Sequence, residues 1–283
     1  MYVIAGVTGN TGKVVAETLL AAGQKIRVIV RSADKGAPWR ARGAEVAVAN
    51  LDADVDGAAF AGARAAYLLS PPDLGAADPL ADVRRRLDGV ARLIAKHAVP
   101  HVVFLSSLGA QHDKGTGPIV GLHHGENALR AVTSVTAVRA GYFLENWGMV
   151  ADVARKDGVL PTFLPATLRV PTVHTADIGR VAGEALLAGP TRRVIELTGP
   201  MDPTPSDIAA AFSRRLGRKI ALAEAPIEAV VPTLTGFGIS EGVARLFAEM
   251  YAALRNGIVV PEHPSDVVRG RIDLDDGLRR MGV

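Results

Sequence analysis

Tyr2-Val3-Ile4-Ala5-Gly6-Val7-Thr8-Gly9-Asn10-Thr11-Gly12 is the stretch that decides the fold. Its first residues are β-formers, and its last run into Val14, Val15, Leu19 and Leu20 at helical spacing. A strand that turns through glycines into a helix brings backbone N–H groups and a helix N-terminus to one point, which suits a pyrophosphate. The spacing is Gly-x-x-Gly-x-x-Gly rather than Gly-x-Gly-x-x-Gly, so the position between strand and helix carries the reading more than the glycines alone.

About twenty residues further on, a dinucleotide fold reads the adenosine ribose at the end of its second strand, and an acid there selects NAD. This chain has Arg31 at that place, followed by Ser32 and Lys35, with Asp34 the carboxylate nearby. A guanidinium fork and an ammonium suit a 2′-phosphate, so NADP(H) is expected over NAD(H). The alternative is an exposed strand-end arginine.

Further β-rich runs follow at Ile26 to Val30, Val46 to Ala49, Ala65 to Leu69, Val102 to Leu105, Thr136 to Arg139 and Val194 to Leu197, the last expected to close the sheet. Helical patterns separate them. Several are apolar at nearly every position, as strands covered on both faces are. The expected fold is α/β, a Rossmann-type doubly wound parallel sheet with a smaller C-terminal substrate-binding lobe. The division is 1–144 for the nucleotide-binding part, 145–169 for an insertion in the substrate lobe, 170–199 for a return to the sheet and 200–283 for the smaller lobe.

The 283 residues are 48% hydrophobic and 22% charged, a globular balance that argues against disorder. There is no cysteine, which excludes disulfides, thiolate nucleophiles and iron–sulfur clusters. The net charge of +3 implies no nucleic-acid partner. The run Arg84-Arg85-Arg86 falls beside Val83, Leu87, Val90 and Ile94, so it reads as a solvated helix face. Met1 to Ala5 reads as a strand and not a signal peptide, and no apolar run has the length of a membrane helix. A cytoplasmic protein is expected, and a homodimer is compatible with this. The histidines 112, 123, 124 and 174 lack metal-ligand spacing, so no metal is expected.

Six motifs now stand together: Gly6 to Gly12, Val30-Arg31-Ser32, Leu69-Ser70-Pro71-Pro72, Val103-Phe104-Leu105-Ser106-Ser107, Arg139-Ala140-Gly141-Tyr142-Phe143-Leu144-Glu145-Asn146 and His174-Thr175-Ala176-Asp177-Ile178-Gly179. Together they resemble the NmrA-like group of atypical short-chain dehydrogenases, which includes NAD(P)H:quinone reductases and redox-sensing regulators. The resemblance implies that Gly6, Thr8, Gly9, Asn10, Thr11 and Gly12 hold the pyrophosphate and that Arg31 and Lys35 hold the 2′-phosphate. It further implies that Leu69, Ser70 and Pro71 line the adenine-to-ribose path, and that Tyr142, Phe143, Glu145 and Asn146 lie near the nicotinamide and the substrate mouth. A packed hinge between lobes is the other reading of Tyr142 and Trp147.

Ordinary short-chain dehydrogenases carry a Tyr-x-x-x-Lys pair as proton donor. No tyrosine lies between Tyr67 and Tyr142, and the corresponding helix, Leu122-His123-His124-Gly125-Glu126-Asn127-Ala128-Leu129, has no lysine. The substrate must then be a good hydride acceptor in its own right, because a general acid ordinarily supplies about 10² to 10⁴ in rate. Quinones and similar electrophiles fit, with direct transfer from NADPH and no flavin. His123 and His124 are the candidate proton donors, although helix-surface roles serve them equally. Ser106 and Ser107, at a strand end, either orient substrate or nicotinamide or satisfy loop backbone. Asp177 is assigned to the start of its helix.

Three functions follow. The first is an NADPH-dependent reductase of a small aromatic or quinone substrate. The second is a non-catalytic NADP(H) sensor, and the third a tailoring reductase or isomerase of secondary metabolism. The stretch Ser240 to Leu254, with Val243, Leu246, Phe247, Met250 and Tyr251, separates the first two: roofing an open cavity, it favours the enzyme.

Overall fold

The computed structural model describes residues 1–50 and 57–283. The chain runs β1 (Tyr2–Ile4), α1 (Asn10–Ala21), β2 (Ile26–Val30), α2 (Ala33–Arg40), β3 (Glu45–Val48), β4 (Ala65–Leu68), α3 (Pro79–Lys96), β5 (His101–Ser107), α4 (Ile119–Arg130) and β6 (Ser134–Ala140). It continues through β7 (Tyr142–Phe143), α5 (Ala151–Asp157), β8 (Val159–Thr162), β9 (Thr172–Val173), α6 (Thr175–Ala188) and β10 (Arg193–Thr198). The remainder is α7 (Pro205–Leu216), β11 (Ala221–Glu224), α8 (Val230–Gly236), α9 (Glu241–Arg255), β12 (Val268–Arg269) and α10 (Leu274–Arg280).

Eight strands form one sheet in the order β12-β10-β6-β5-β4-β1-β2-β3, and every pairing in it is parallel. The fold is α/β and Rossmann-like. From β1 the chain winds one way to β2 and β3, then crosses back to β4 and on to β12, so the strand order reverses between β1 and β4. That crevice, outside the carboxyl ends of the strands, is where doubly wound sheets take their ligands.

Alternation along the strands sets the two faces. Tyr2 and Ile4 join a core with Val15, Leu19, Val28, Ile178 and Val181. Val3 and Ala5 join the opposite one with Phe60, Leu87, Ile94, Phe104 and Leu129. Each face is sealed by helices, which explains the unbroken apolar runs.

β10 does not close the sheet as expected. β12 lies outside it, with Val268 and Arg269 paired to Leu197 and Thr198. Two residues without periodicity leave no strand signal, and the segments flanking them are held by side chains elsewhere: buried Asp177 accepts the N–H groups of Arg271 and Ile272 (2.8 and 2.9 Å), and buried Glu196 those of Glu262 and His263 (2.7 and 2.8 Å).

Two smaller cores sit beyond the sheet. One joins Leu144, Trp147, Leu160, Phe212 and Leu278; the other joins Leu108, Ile119, Leu164, Leu254 and Val259. The second carries α9 across the carboxyl ends of the strands. Its N-terminus is tied down by Ser240, whose N–H donates to Leu74 O (2.9 Å) and whose hydroxyl donates to Ala76 O (2.7 Å).

Candidate active site

The loop after β1 bends at Gly6, whose φ of +69° lies in the left-handed region glycine favours, and Gly9 N donates back to Gly6 O at 2.9 Å. A Cβ on Gly12 would stand 2.4 Å from Gly6 O, so the first turn of α1 rests directly on the loop. Gly9 occupies the N-cap, and no acidic side chain stands in the first turn. The first N–H groups of α1 are left to an anion, which fits a pyrophosphate. Thr11 is buried; its hydroxyl accepts from the phenol of Tyr67 at 2.9 Å, and burial pushes that phenol's pKa up.

On the β2 side of the loop lies a cavity of about 400 Å³ lined by Gly6, Thr8, Arg31, Ser32, Lys35, Asn50, Leu69, Ser70, Pro71 and Arg86. Arg31, Ser32 and Lys35 are exposed at its mouth. The Arg84-Arg85-Arg86 run does not behave as one solvated face. Arg84 and Arg85 are exposed, and Arg85 pairs with Asp82, but Arg86 is half-buried and lines this cavity, the next one and a third that joins Arg31 to Asp73 and Arg85. Its Nη2 stands 3.5 Å from Ser70 Oγ. The spacing held the signal: Arg86 follows Val83 by three positions and so sits on that side of α3.

On the other side of the loop is a cavity of about 440 Å³. Gly9, Asn10 and Thr11 form one wall, and Ser106, Ser107, Tyr142, Phe143, Asn146 and Thr175 another. Val83, Ile119 and Leu122 line it from α3 and α4, and Val243, Leu246, Phe247 and Met250 of α9 line it from above. Leu69, Ser70, Pro71 and Arg86 belong to both cavities, which makes them one trench.

Neither candidate histidine lines that trench. His124 Nε2 lies 2.7 Å from Asp88 Oδ1 on α3, and His123 Nδ1 lies 2.8 Å from Ala110 O while its Nε2 meets Asn127 Nδ2 at 2.9 Å. The residues of this helix that reach the cavity are Ile119 and Leu122. The serines do reach it, but their hydroxyls are engaged. Ser107 Oγ donates to Leu108 O (2.9 Å), and Ser106 Oγ donates to Glu126 Oε1 (2.6 Å). Glu126, which the sequence reading passed over, is 1% exposed and also takes Arg139 in a fork, at 2.9 and 3.0 Å. Burial opposes the Arg139 charge, but Glu126 and Glu262 outweigh it and hold the guanidinium pKa above its ordinary value.

Tyr142 lies edge-on to Trp147, with ring centres 6.4 Å apart, and its phenol meets Tyr251 and Asn146. Burial first, and Tyr251 second, holds that phenol well above its ordinary pKa, so it stays protonated through the neutral range. Glu145 turns to the start of α6, where Oε1 accepts the N–H of Thr175 at 2.9 Å and also its hydroxyl. Asp177 keeps a structural role, binding Arg180 and the segment before α10.

The sequence profile of the NmrA-like family matches residues 2–259. The chain belongs to the NmrA-like family. Among curated relatives of this NmrA-like chain is the NAD(P)H azoreductase of Xenophilus azovorans, 28% identical over 261 residues that make up 89% of this chain and 86% of that protein. Similar solved structures include the NADPH-dependent quinone oxidoreductase of Escherichia coli in complex with NADPH, at 21% identity and a TM-score of 0.84 over 100% of both chains. Another is the triphenylmethane reductase of Citrobacter sp. in complex with NADP(H), at 20% identity and a TM-score of 0.82 over 99% of both. At such identities these structures show a shared fold.

Proposed function

We propose that this chain is an NADPH-dependent reductase that passes a hydride directly, without flavin, to a quinone or a similarly conjugated electrophile. The observation that carries the reading is the roof: Leu246, Phe247 and Met250 of α9 present half-buried apolar side chains to a cavity continuous with the phosphate loop. A sensor needs the trench but has no use for an apolar chamber at its inner end. The azoreductase relative supports an aromatic acceptor.

In this reading the first N–H groups of α1 hold the pyrophosphate, and Arg31, Lys35 and Arg86 face the 2′-phosphate. When bound, the cofactor supplies the hydride. Val83, Ile119, Leu122, Phe247 and Met250 exclude water and press the acceptor ring into place, so that orientation provides most of the rate. The segments 145–169 and 200–283, apart from β12, serve as the substrate lobe. α4 carries neither a tyrosine nor a lysine, so this reading does without carbonyl reduction by a Tyr-x-x-x-Lys pair. Tyr142 takes over as the proton donor to the reduced acceptor, its phenol held neutral beside the cavity.

Loss of the nicotinamide absorbance on mixing protein, NADPH and a panel of simple quinones tests the function, with the absorption spectrum of the purified protein testing for flavin. Turnover without a flavin band is expected. Turnover only after FMN or FAD is added would refute direct transfer, and NADPH binding with no acceptor reduced would refute the reductase reading.

A further inference from the structure

Glu145 is a carboxylate with only half its bonding capacity used. Oε1 takes both donors of Thr175, whereas Oε2 is buried and has no hydrogen-bond partner among the described residues. The neighbouring base does not balance it. His174 Nδ1 stands 3.4 Å from Oε1, but the same nitrogen accepts the N–H of Ala176 at 3.0 Å, so a lone pair and not a proton faces this corner. The start of α6 serves Oε1 alone, through the N–H and the hydroxyl of Thr175, and Asp177 stands in the same turn. A carboxylate oxygen held away from solvent without a donor costs free energy unless a ligand offsets it.

The ligand that passes this corner follows from the trench. Thr175, Phe143 and Asn146 line the inner cavity opposite Gly9, Asn10 and Thr11, so the half of the dinucleotide beyond the pyrophosphate lies against the wall that Glu145 backs. The two redox forms of that half differ by one hydride and one positive charge on the ring. The cavity around it is apolar, and charge interactions there are weakly screened.

We infer that Glu145 is a redox-tuning group, a fixed negative charge behind Thr175 that favours the oxidised, cationic nicotinamide over the reduced, neutral one. This rests on the NADP(H) reading of the trench and adds to it a direction: the bound couple is a stronger hydride donor than the free couple. The cost of burying Oε2 is thereby turned into a bias between two ligands of the same shape.

The test is calorimetric titration of wild type and Glu145→Gln with NADP⁺ and with NADPH. The amide keeps the size and an acceptor for Thr175 but removes the charge. The expected result is a roughly tenfold weaker binding of NADP⁺ with NADPH changed by less than about twofold, the effect of one partly screened charge. That ratio corresponds to a rise of about 30 mV in the potential of the bound two-electron couple. Equal losses for both forms, or an unchanged ratio, would overturn the proposal and leave Glu145 as a hydrogen-bonded brace for α6. If the variant does not fold, the wild-type protein decides. It should bind NADP⁺ at least as tightly as NADPH, and a preference for NADPH of about tenfold or more overturns the inference. Failure of wild type to bind either form overturns the cofactor reading and the inference with it, whereas binding with an unchanged ratio removes the inference alone.

Discussion

Replacing glycine by alanine at two helical positions should move stability in opposite directions, and the difference tests how the phosphate loop is held. α1 and α6 run side by side in the same direction, with Gly179 against Thr11 and Val14 and Gly183 against Thr18. A Cβ at Gly179 would lie 2.5 Å from Val14 Cβ and 2.7 Å from Thr11 O, distances that require the helices to separate. Overpacking of this kind costs about 3 kcal/mol, from which about 1 kcal/mol of helix propensity is recovered. The net loss for Gly179→Ala is about 2 kcal/mol. For 283 residues the unfolding entropy near the midpoint is about 0.6 kcal/mol/K, so the melting temperature should fall by about 3 to 4 °C. Gly89 lies inside α3 with only Arg92 Nη2 within reach, at 3.7 Å, and Gly89→Ala should raise the melting temperature by about 1 to 2 °C. The atom crowded by Gly179→Ala belongs to the first turn of α1, so NADPH affinity should fall in that variant and not in Gly89→Ala. Thermal denaturation with and without NADPH measures both. A Gly179→Ala protein with wild-type melting and wild-type affinity would refute the close approach of the two helices and its link to the loop.

Arg31→Ala and Arg86→Ala should each raise the KM for NADPH about tenfold, the loss of one partly exposed charge-assisted contact, and leave the KM for NADH within about twofold. An equal rise for both cofactors would move the arginine from the 2′-phosphate to the pyrophosphate. Tyr142→Phe should lower kcat by about tenfold or more on acceptors that need a proton, with folding unchanged. Because the Tyr142 phenol is raised, the wild-type rate should show no loss on its account as pH climbs through 8 and 9, and a fall centred there would contradict its role as donor. Glu126→Ala leaves Arg139 buried with Glu262 as its remaining carboxylate partner among the described residues, and should cost about 3 to 5 kcal/mol in chemical denaturation. A loss below about 1 kcal/mol would show that the pair contributes little.

What the chain disclosed in advance and what it withheld divide along the range of the interactions involved. The β1–loop–α1 unit, the covered strands and the basic end of β2 depend on neighbours within a few residues, so glycine placement and apolar periodicity predict them directly. The inner cavity was legible for the same reason wherever it is built from a strand end, as at Ser106, Ser107, Tyr142, Phe143 and Asn146, and from the period of α9, as at Val243, Leu246, Phe247 and Met250. The misreadings concern side chains whose role is set by a partner far away in sequence. His123 and His124 have the chemistry of proton donors, but the helix phase gives the cavity to Ile119 and Leu122 and leaves the histidines to Asp88 and Ala110. Arg86 looked like one of three solvated arginines until the packing of α3 turned it toward the trench. β12 could not be read because two residues carry no pattern, and Asp177 and Glu196, some 70 to 95 positions earlier, hold its flanks. Glu126 shows why composition alone misleads in such a site. Sequence reading assigned it no role, and with Ser106, Arg130 and Arg139 all bound to its carboxylate it has no free electron pair directed at a substrate. In the function proposed above, the proton then comes from the phenol of Tyr142, and the acceptors that suit such a chamber are those whose reduction is driven by the hydride and only completed by the proton.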